Sequence, residues 1–252
     1  MALATPIVFG NWKMHGLRAE ADALAGGLAD IRAGSTLAGT LGVFPPATVL
    51  ARVAERLHGT GIVVGGQDCH QQPKGAFTGS ISAPMLKDAG AEAVIVGHSE
   101  RRHGLGETDS VVRAKAEAAL AQGLLVVLCI GETEEEWLAG RTLERLSAQL
   151  EASLPRDAAA DRLVIAYEPV WAVGTGRTPG SDEIARSHDL VREHVGAQIP
   201  GGSMVPILYG GSVKPENARA ILAIPGVDGA LVGGACLDAA GFWSILEAGG
   251  PA

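Results

Sequence analysis

Glu168 is the first residue whose placement suggests chemistry. It stands in the stretch AYEPVWAVGTGRTPG, after the apolar run Leu163 to Ile165 and directly before Pro169. Proline disfavours the helical region for the residue before it, which keeps Glu168 extended. A carboxylate held by a stiff backbone at the end of a buried strand can act as a general base. The alternative is a solvated loop carboxylate, and this stretch alone does not decide between the two.

His98 follows another apolar run, in VIVGHSERR. A single histidine in such a place is often a hydrogen-bonded core residue. The residues Ser99 to Arg101 are typical of the start of a helix, however, and backbone N–H groups there disfavour a charged imidazolium. A neutral imidazole can donate a hydrogen bond to a carbonyl oxygen or relay a proton between two oxygens.

Lys13 and Asn11 lie in FGNWKMHG, at the end of the first apolar run. Most lysines are ordinary surface residues. After a first strand, we expect Lys13 to point into the site as the only cation there, which suits an anionic substrate and a negatively charged intermediate. Asn11 is either a structural loop residue or a second polar contact.

Two glycine pairs follow apolar runs, in YGGSVKPENA and LVGGACL. Glycine serves tight strand-to-helix turns, which is the plainer interpretation. Paired glycines also let backbone N–H groups surround a phosphate, and α/β barrels often bind phosphate after their last two strands. Neither stretch matches a P-loop or a dinucleotide fingerprint, and the seven histidines include no HExxH. We therefore expect neither a nucleotide nor a metal.

The elements that must position these residues are short apolar runs without polar alternation, as expected for parallel strands buried on both faces. They are PIVFG, LGVF, GIVVGG, AVIVG, LLVVLCIG, LVIAY, VPILYGG and GALVGG. Segments with helical spacing lie between most of them, among them AEADALAGGLADI, SVVRAKAEAALAQG, EEEWLAGRTLERLSAQLEASL and SDEIARSHDLVREHV. In the last segment we expect Ser181 to be the N-cap.

This alternation of strand and helix predicts an α/β fold, a single-domain (β/α)8 barrel spanning residues 1–252. A doubly wound open sheet gives the same linear pattern and is the alternative. Polar or glycine-rich residues follow nearly every apolar run. The carboxyl ends of barrel strands converge on one mouth, so the barrel explains why such residues recur there.

Composition narrows the functional classes. The formal net charge of −8 disfavours general affinity for nucleic acid or an anionic membrane. Apolar runs stay well short of the ~18 residues of a membrane span, and the N-terminus lacks the pattern of a secretory signal. The three cysteines include no CxxC pair, which is typical of a reduced compartment. We expect a cytoplasmic protein.

Eight motifs between Phe9 and Ala235 resemble the triosephosphate isomerase family. In order they are NWKMHG, GAFTGSIS, GHSERR, GETD, CIGE, AYEPVWAVGTG, YGGSV and DGALVGGA. The resemblance covers nearly the whole chain. It implies a cofactor-free enzyme that interconverts dihydroxyacetone phosphate and D-glyceraldehyde 3-phosphate. The implied catalytic residues are Glu168 as base, His98 as electrophile, and Lys13 and Asn11 as polar partners of substrate and intermediate. The implied phosphate contacts are backbone groups near Gly174, Ser212, Gly233 and Gly234.

The same resemblance implies parts around the site. Residues 169–178 would form a lid, and Glu100 and Cys129 would support the site without doing chemistry. The long loop containing Phe77 and Thr78 would insert into a second subunit, where Thr78 reaches the partner subunit's Asn11 and Lys13, so a homodimer is expected. The chain departs from the family pattern at His15, Ser80, Cys236 and the GRT that ends the lid. Ser80 replaces a usual glutamate, which puts one intersubunit ion pair in doubt.

Three other functions fit parts of this pattern. An isomerase of a four-carbon ketose phosphate is the nearest, although WAVGTG keeps the triose pattern. An idle barrel used as a scaffold is disfavoured because Glu168, His98 and Lys13 are all present. A metal-dependent aldolase would need a ligand cluster, and the sequence offers no convincing one.

Overall fold

Eight parallel strands form a closed barrel, in which each strand pairs with the next and the eighth pairs with the first. The computed structural model describes residues 3–250, so both ends of the predicted 1–252 domain lie outside the described residues. The strands are β1 Ile7–Asn11, β2 Thr40–Phe44, β3 Val63–Gly66, β4 Ala93–Val96, β5 Leu125–Ile130, β6 Leu163–Tyr167, β7 Ile207–Tyr209 and β8 Gly229–Val232. Each corresponds to one of the predicted apolar runs. The closed strand order confirms the (β/α)8 barrel and excludes the open sheet.

Helices surround the barrel and connect its strands. They are α1 Arg18–Ala33, α2 Leu50–Leu57, α3 Ala83–Asp88, α4 Ser99–Gly104, α5 Asp109–Ala121, α6 Glu134–Leu138, α7 Thr142–Ser153, α8 Ser181–Gln198, α9 Pro215–Leu222 and α10 Ala239–Ala248. Within residues 3–250, no helix is both long and apolar enough to cross a membrane.

The strands are buried on both faces because alternate residues enter two different cores. Ile7 and Phe9 point into the barrel, where Phe9 packs edge-on against Phe44 with ring centroids 5.3 Å apart. Val8, between them, belongs to the outer core formed by strands and helices. Burial on both faces explains the continuous apolar runs of the sequence.

Two details of the helices differ from the sequence expectations. The segment EEEWLAGRTLERLSAQLEASL forms two helices, α6 and α7, because Gly140 between them has a φ of 68°, a left-handed conformation that favours glycine. Ser181 is the first residue of α8 and not its N-cap. The cap position belongs to Gly180, whose N–H donates to Oε2 of Glu183 at 2.8 Å.

Candidate active site

One cavity of about 620 Å³ lies at the carboxyl ends of the strands. It is lined by the predicted site residues Asn11, Lys13, His98, Glu168, Gly174, Ser212, Gly233 and Gly234. A larger cavity, of about 1070 Å³, lies beside the amino ends of β2 and β3 and contains none of these residues. The smaller cavity is the candidate active site, because chemically competent side chains converge there.

Glu168 directly follows β6 and is buried, with 2% of its surface exposed. Its Oε2 accepts the Ser99 N–H at 2.9 Å, and its Oε1 lies 2.9 Å from Nε2 of His98. Gly210 leaves room for this side chain, since a Cβ there would lie 2.8 Å from Cγ of Glu168. Burial alone would raise the pKa of Glu168, but His98, the Ser99 N–H and Lys13 hold it below its ordinary value.

His98 occupies the N-cap position of α4, and its Nδ1 accepts the N–H of Glu100 at 3.2 Å. That contact requires an unprotonated Nδ1 and places the imidazole proton on Nε2, towards Glu168. Burial opposes a charge on the ring, yet the adjacent Glu168 carboxylate outweighs it and raises the pKa of His98. The Glu100 amide therefore favours the expected neutral form of the His98 imidazole. The Glu168 carboxylate favours the charged form as long as it contacts the imidazole.

Lys13 adopts a φ of 53°, a strained conformation for a residue with a side chain. Two neighbours hold it there. The Asn11 side chain accepts the Lys13 N–H at 3.0 Å, and Nε2 of Gln67 donates to both the Lys13 and the Phe44 carbonyl oxygens at 2.8 Å. Asn11 thus has a structural contact beside its predicted role at the substrate.

The ammonium of Lys13 lies 2.6 Å from Oε1 of Glu100. Glu100, which was predicted to support the site, therefore forms an ion pair with Lys13. The expectation that Lys13 is the only cation at the site is wrong. Lys214, the N-cap of α9, lines the same cavity. Lys214 lies in the loop after β7. The glycine pair of that loop predicts a turn, and the lysine was not among the predicted site residues.

The two predicted glycine-rich turns both line the cavity. Gly233 and Gly234 begin a short 3₁₀ turn after β8, and Ser212 follows β7. Backbone N–H groups at such turns suit a phosphate dianion. The Ser212 hydroxyl donates to the Ala172 carbonyl oxygen at 2.7 Å and accepts the Gly176 N–H at 3.3 Å. This end of the cavity is therefore joined to the predicted lid.

The predicted lid, residues 169–178, is anchored below by a buried carboxylate. Nε1 of Trp171 donates to Oε1 of Glu132 at 2.9 Å, and the Tyr167 hydroxyl donates to the same oxygen at 3.2 Å. Burial raises the pKa of Glu132 from 4.5 to about 7, against these two hydrogen bonds. Glu132 is thus poised to change charge near neutral pH.

Four charged side chains form a network behind the site. The Arg101 guanidinium lies 2.7 Å from Oε1 of Glu107 and 2.9 Å from the Asp68 carboxylate. Lys115 pairs with the same two carboxylates. Arg101 therefore has its acidic partners within its own chain.

Cys129 lies inside the barrel, near the Glu168 carboxylate. Burial and the Glu168 carboxylate raise its pKa well above the ordinary value, so it remains a neutral thiol. Its carbonyl oxygen accepts from the Arg102 guanidinium at 3.0 Å, which ties β5 to α4.

The long loop after β3 carries Phe77 and Thr78 at an exposed tip. The Phe77 ring packs on His70, with ring centroids 4.1 Å apart, while 43% of the Phe77 surface remains exposed. Met14, next to Lys13, is 95% exposed. Two apolar side chains, Phe77 and Met14, are thus exposed to solvent on this surface.

Sequence reasoning missed the roles of three residues: Ser99, Gln67 and Glu132. Each follows a strand end, at β4, β3 and β5, so their positions were a usable signal. Ser99 binds the Glu168 carboxylate, Gln67 binds the Lys13 carbonyl and Glu132 binds the Trp171 indole. These contacts depend on how the loops fold over the barrel. Within the described residues, no group of three or more His, Cys, Asp or Glu is placed to hold a metal ion.

Together, the fold and the site define a (β/α)8-barrel enzyme in which a carboxylate, an imidazole and two glycine-rich turns line one cavity. The family profile described as "Triosephosphate isomerase" matches residues 6–249. The chain belongs to the triosephosphate isomerase family.

Individual relatives agree along almost the full length. The chain is 52% identical over 250 residues to triosephosphate isomerase of Xanthobacter autotrophicus, covering 96% of each chain. It is 51% identical to that of Ruegeria sp., covering 98% of each. The crystal structure of triosephosphate isomerase from Bartonella henselae superimposes with a TM-score of 0.89 at 42% identity, covering 97% of this chain and 98% of that one.

Proposed function

We propose that this chain interconverts dihydroxyacetone phosphate and D-glyceraldehyde 3-phosphate, a step of glycolysis and gluconeogenesis, with Glu168 as the base. The observation that carries the proposal is the pairing of Glu168 with His98, 2.9 Å apart in a cavity that also holds Lys13 and the glycine-rich turns. Triosephosphate isomerase is itself the usual example of a glutamate base, a neutral histidine and a closing loop, so the assignment follows the family pattern.

The reaction removes a proton from a carbon beside a carbonyl and returns it to the neighbouring carbon. One carboxylate that reaches both carbons is sufficient. Glu168 rests on the Ser99 N–H, so it must leave that contact before it can face a substrate carbon. Its pKa lies below the ordinary value, so the carboxylate is ionised at neutral pH and ready to accept the proton.

The enediolate formed between the two proton transfers carries negative charge on two adjacent oxygens. Nε2 of His98 is the donor placed to serve both, and the Glu100 N–H on Nδ1 keeps the proton on Nε2. The ammonium of Lys13 supplies positive charge where the anion develops, and Asn11 holds the Lys13 backbone and contacts the substrate.

The substrate phosphate binds to backbone groups at Gly174, Ser212, Gly233 and Gly234, all of which line the cavity. Residues 169–178 close over it. An enediolate exposed to water eliminates phosphate, so the lid protects the intermediate by excluding solvent.

We also propose a cofactor-free homodimer, located in the cytoplasm, with the whole chain as one catalytic domain. The exposed Phe77 and Met14 support an interface beside the site. Thr78 of one copy would reach Asn11 and Lys13 of the other and brace its lysine. The partners of the enzyme are then its triose phosphate substrates and a second copy of itself.

A coupled assay of the purified protein on D-glyceraldehyde 3-phosphate tests the function, with erythrulose phosphate as comparator. We expect efficient turnover of the triose phosphate and slow or no turnover of the four-carbon ketose phosphate. The reverse preference would assign the chain to the four-carbon substrate. Turnover of neither compound would contradict the proposal.

A further inference from the structure

Both ends of the lid contact Trp137, a side chain that lies outside the lid on α6. The indole rings of Trp137 and Trp171 are stacked, with centroids 4.1 Å apart and planes inclined by 24°. The Arg177 guanidinium lies 4.9 Å from the Trp171 ring centre and 5.7 Å from that of Trp137. Trp171 stands near the beginning of the lid and Arg177 near its end, so one indole touches both.

Trp137 is also held by contacts within α6 and with α8. Its helix is capped by Thr133 and Glu136, and the Thr133 N–H donates to Oε2 of Glu136 at 2.8 Å. Nε1 of Trp137 donates to Oε1 of Glu183, in the first turn of α8, at 3.4 Å. The lid therefore rests against a side chain that has contacts independent of the lid.

The position of the lid is linked to the position of the base. Pro169 stiffens the short connection between Glu168 and Trp171. While Trp171 is stacked on Trp137 and bonded to Glu132, the Glu168 carboxylate is bonded to the Ser99 N–H. In the proposed mechanism the base must leave that amide to accept a proton from a substrate carbon. The stacked lid thus corresponds to a resting base.

We propose that Trp137 and Arg177 are positioning residues that hold the lid in this resting position and so set the fraction of protein whose base is free. The inference rests on the proposed function, since it takes the lid and Glu168 to be catalytic. A ligand that binds only after the lid leaves Trp137 has an apparent Kd equal to its intrinsic Kd divided by the fraction of protein that has left the resting position. Loss of the Trp137 indole raises that fraction, so such a ligand binds more tightly.

The first measurement reads the contact directly and does not depend on activity. In protein labelled with ¹⁵N-tryptophan, hydrogen exchange of the Trp171 Nε1–H reports how often that indole leaves the buried Glu132. We expect exchange to be about two- to tenfold faster in Trp137→Ala, with partial recovery in Trp137→Phe, which can still stack. Leu138→Ala, on the same helix and 72% exposed, is the matched control and should exchange like the wild type.

The second measurement reads the consequence for the site. The probe is 2-phosphoglycolate, which carries a phosphate and a carboxylate that resembles the enediolate. We expect Trp137→Ala to lower its Kd about two- to tenfold and to lower KM for the triose phosphate in the same direction. Leu138→Ala should change neither. A role confined to keeping the site well ordered would move both quantities the opposite way.

Unchanged Trp171 exchange in Trp137→Ala overturns the proposal, and so does weaker binding of 2-phosphoglycolate. A failure of the proposed function is distinguishable from either outcome, because it would be seen as absence of isomerisation by the wild type. The exchange measurement would still report whether Trp137 holds the lid.

Discussion

Glu168 and His98 lie 2.9 Å apart, Oε1 to Nε2, and both are held by consecutive N–H groups at the start of the same helix, α4. The Ser99 N–H donates to Glu168, and the Glu100 N–H donates to His98. One helix end thus fixes the base and the imidazole relative to each other. In the proposed mechanism Glu168 leaves Ser99, and the Glu100 contact then keeps the His98 proton on Nε2, where the intermediate would need a donor.

Gln67 holds Lys13 in a strained backbone conformation, and its loss should reduce catalysis. In Gln67→Ala the Lys13 carbonyl loses its donor and the left-handed φ relaxes, which displaces the ammonium. We expect kcat/KM to fall by about tenfold or more, since small misplacements of catalytic groups are costly. Gln67→Glu has nearly the same shape but an ionised carboxylate donates no hydrogen bond, so it should show a similar loss. Gln122→Ala, at the exposed end of α5, is the control; normal kinetics in both Gln67 variants would refute this role.

Shortening the lid should uncouple proton transfer from protection of the intermediate. Deletion of Val173 to Gly176 removes an exposed loop tip and should leave the barrel folded. Turnover of the shortened enzyme should then release inorganic phosphate and a dicarbonyl by-product. Wild-type protein in the same phosphate assay gives the background. Clean isomerisation without phosphate release would show that the lid does not protect the intermediate.

Glu132 should make the stability of the protein depend on pH between its pKa in the unfolded state and its raised pKa in the folded state. Burial raises the pKa from 4.5 to about 7 in the folded protein, so the folded state binds more protons than the unfolded state in that range. The contribution of Glu132 to the free energy of unfolding therefore falls as pH rises from about 4.5 to 7, by up to about 3 kcal/mol. Glu132→Gln does not titrate and isolates this contribution. Denaturant unfolding of both proteins at pH 5 and pH 8 should show the difference, wild type minus variant, decreasing with pH; a constant or increasing difference would rule out the raised pKa.

The apolar loop tip should be required for assembly. Thr78→Arg places a charged side chain beside Phe77 and should give monomers with severely reduced activity and an unchanged circular dichroism spectrum. Thr36→Arg, an exposed position between α1 and β2 at the other end of the barrel, is the matched control. Sedimentation velocity and kinetics measure both effects. A fully active wild-type monomer at nanomolar concentration would contradict the idea that one copy braces the site of the other.

Much of the fold was predictable because strands buried on both faces leave continuous apolar runs, and each run is a strand in the structure. The division between α6 and α7 was harder, since Gly140 lies inside a segment in which most of the other residues favour helix. Ser181 shows the same limit at a helix end: the helix begins one residue earlier than a serine cap would place it, and the Glu183 side chain accepts the N–H of the cap residue Gly180.

The candidate site was predictable as a set of positions but not as a set of contacts. Strand ends and glycine pairs indicate which residues face the barrel mouth. The support of Lys13 by Gln67 and the stacking of Trp137 on the lid join residues far apart in the sequence, and no local pattern encodes such pairs. Lys214 was missed because glycines dominate the loop that carries it.

In the proposed mechanism Glu168 removes and returns the substrate proton. Glu168→Asp keeps the charge but retracts the carboxylate by about 1 Å, a displacement that can cost on the order of a hundredfold in rate. The decisive measurement is kcat of this variant together with its Kd for 2-phosphoglycolate. If Glu168 is the base, kcat should fall by about a hundredfold with little change in Kd. Near wild-type turnover by Glu168→Asp would contradict this role.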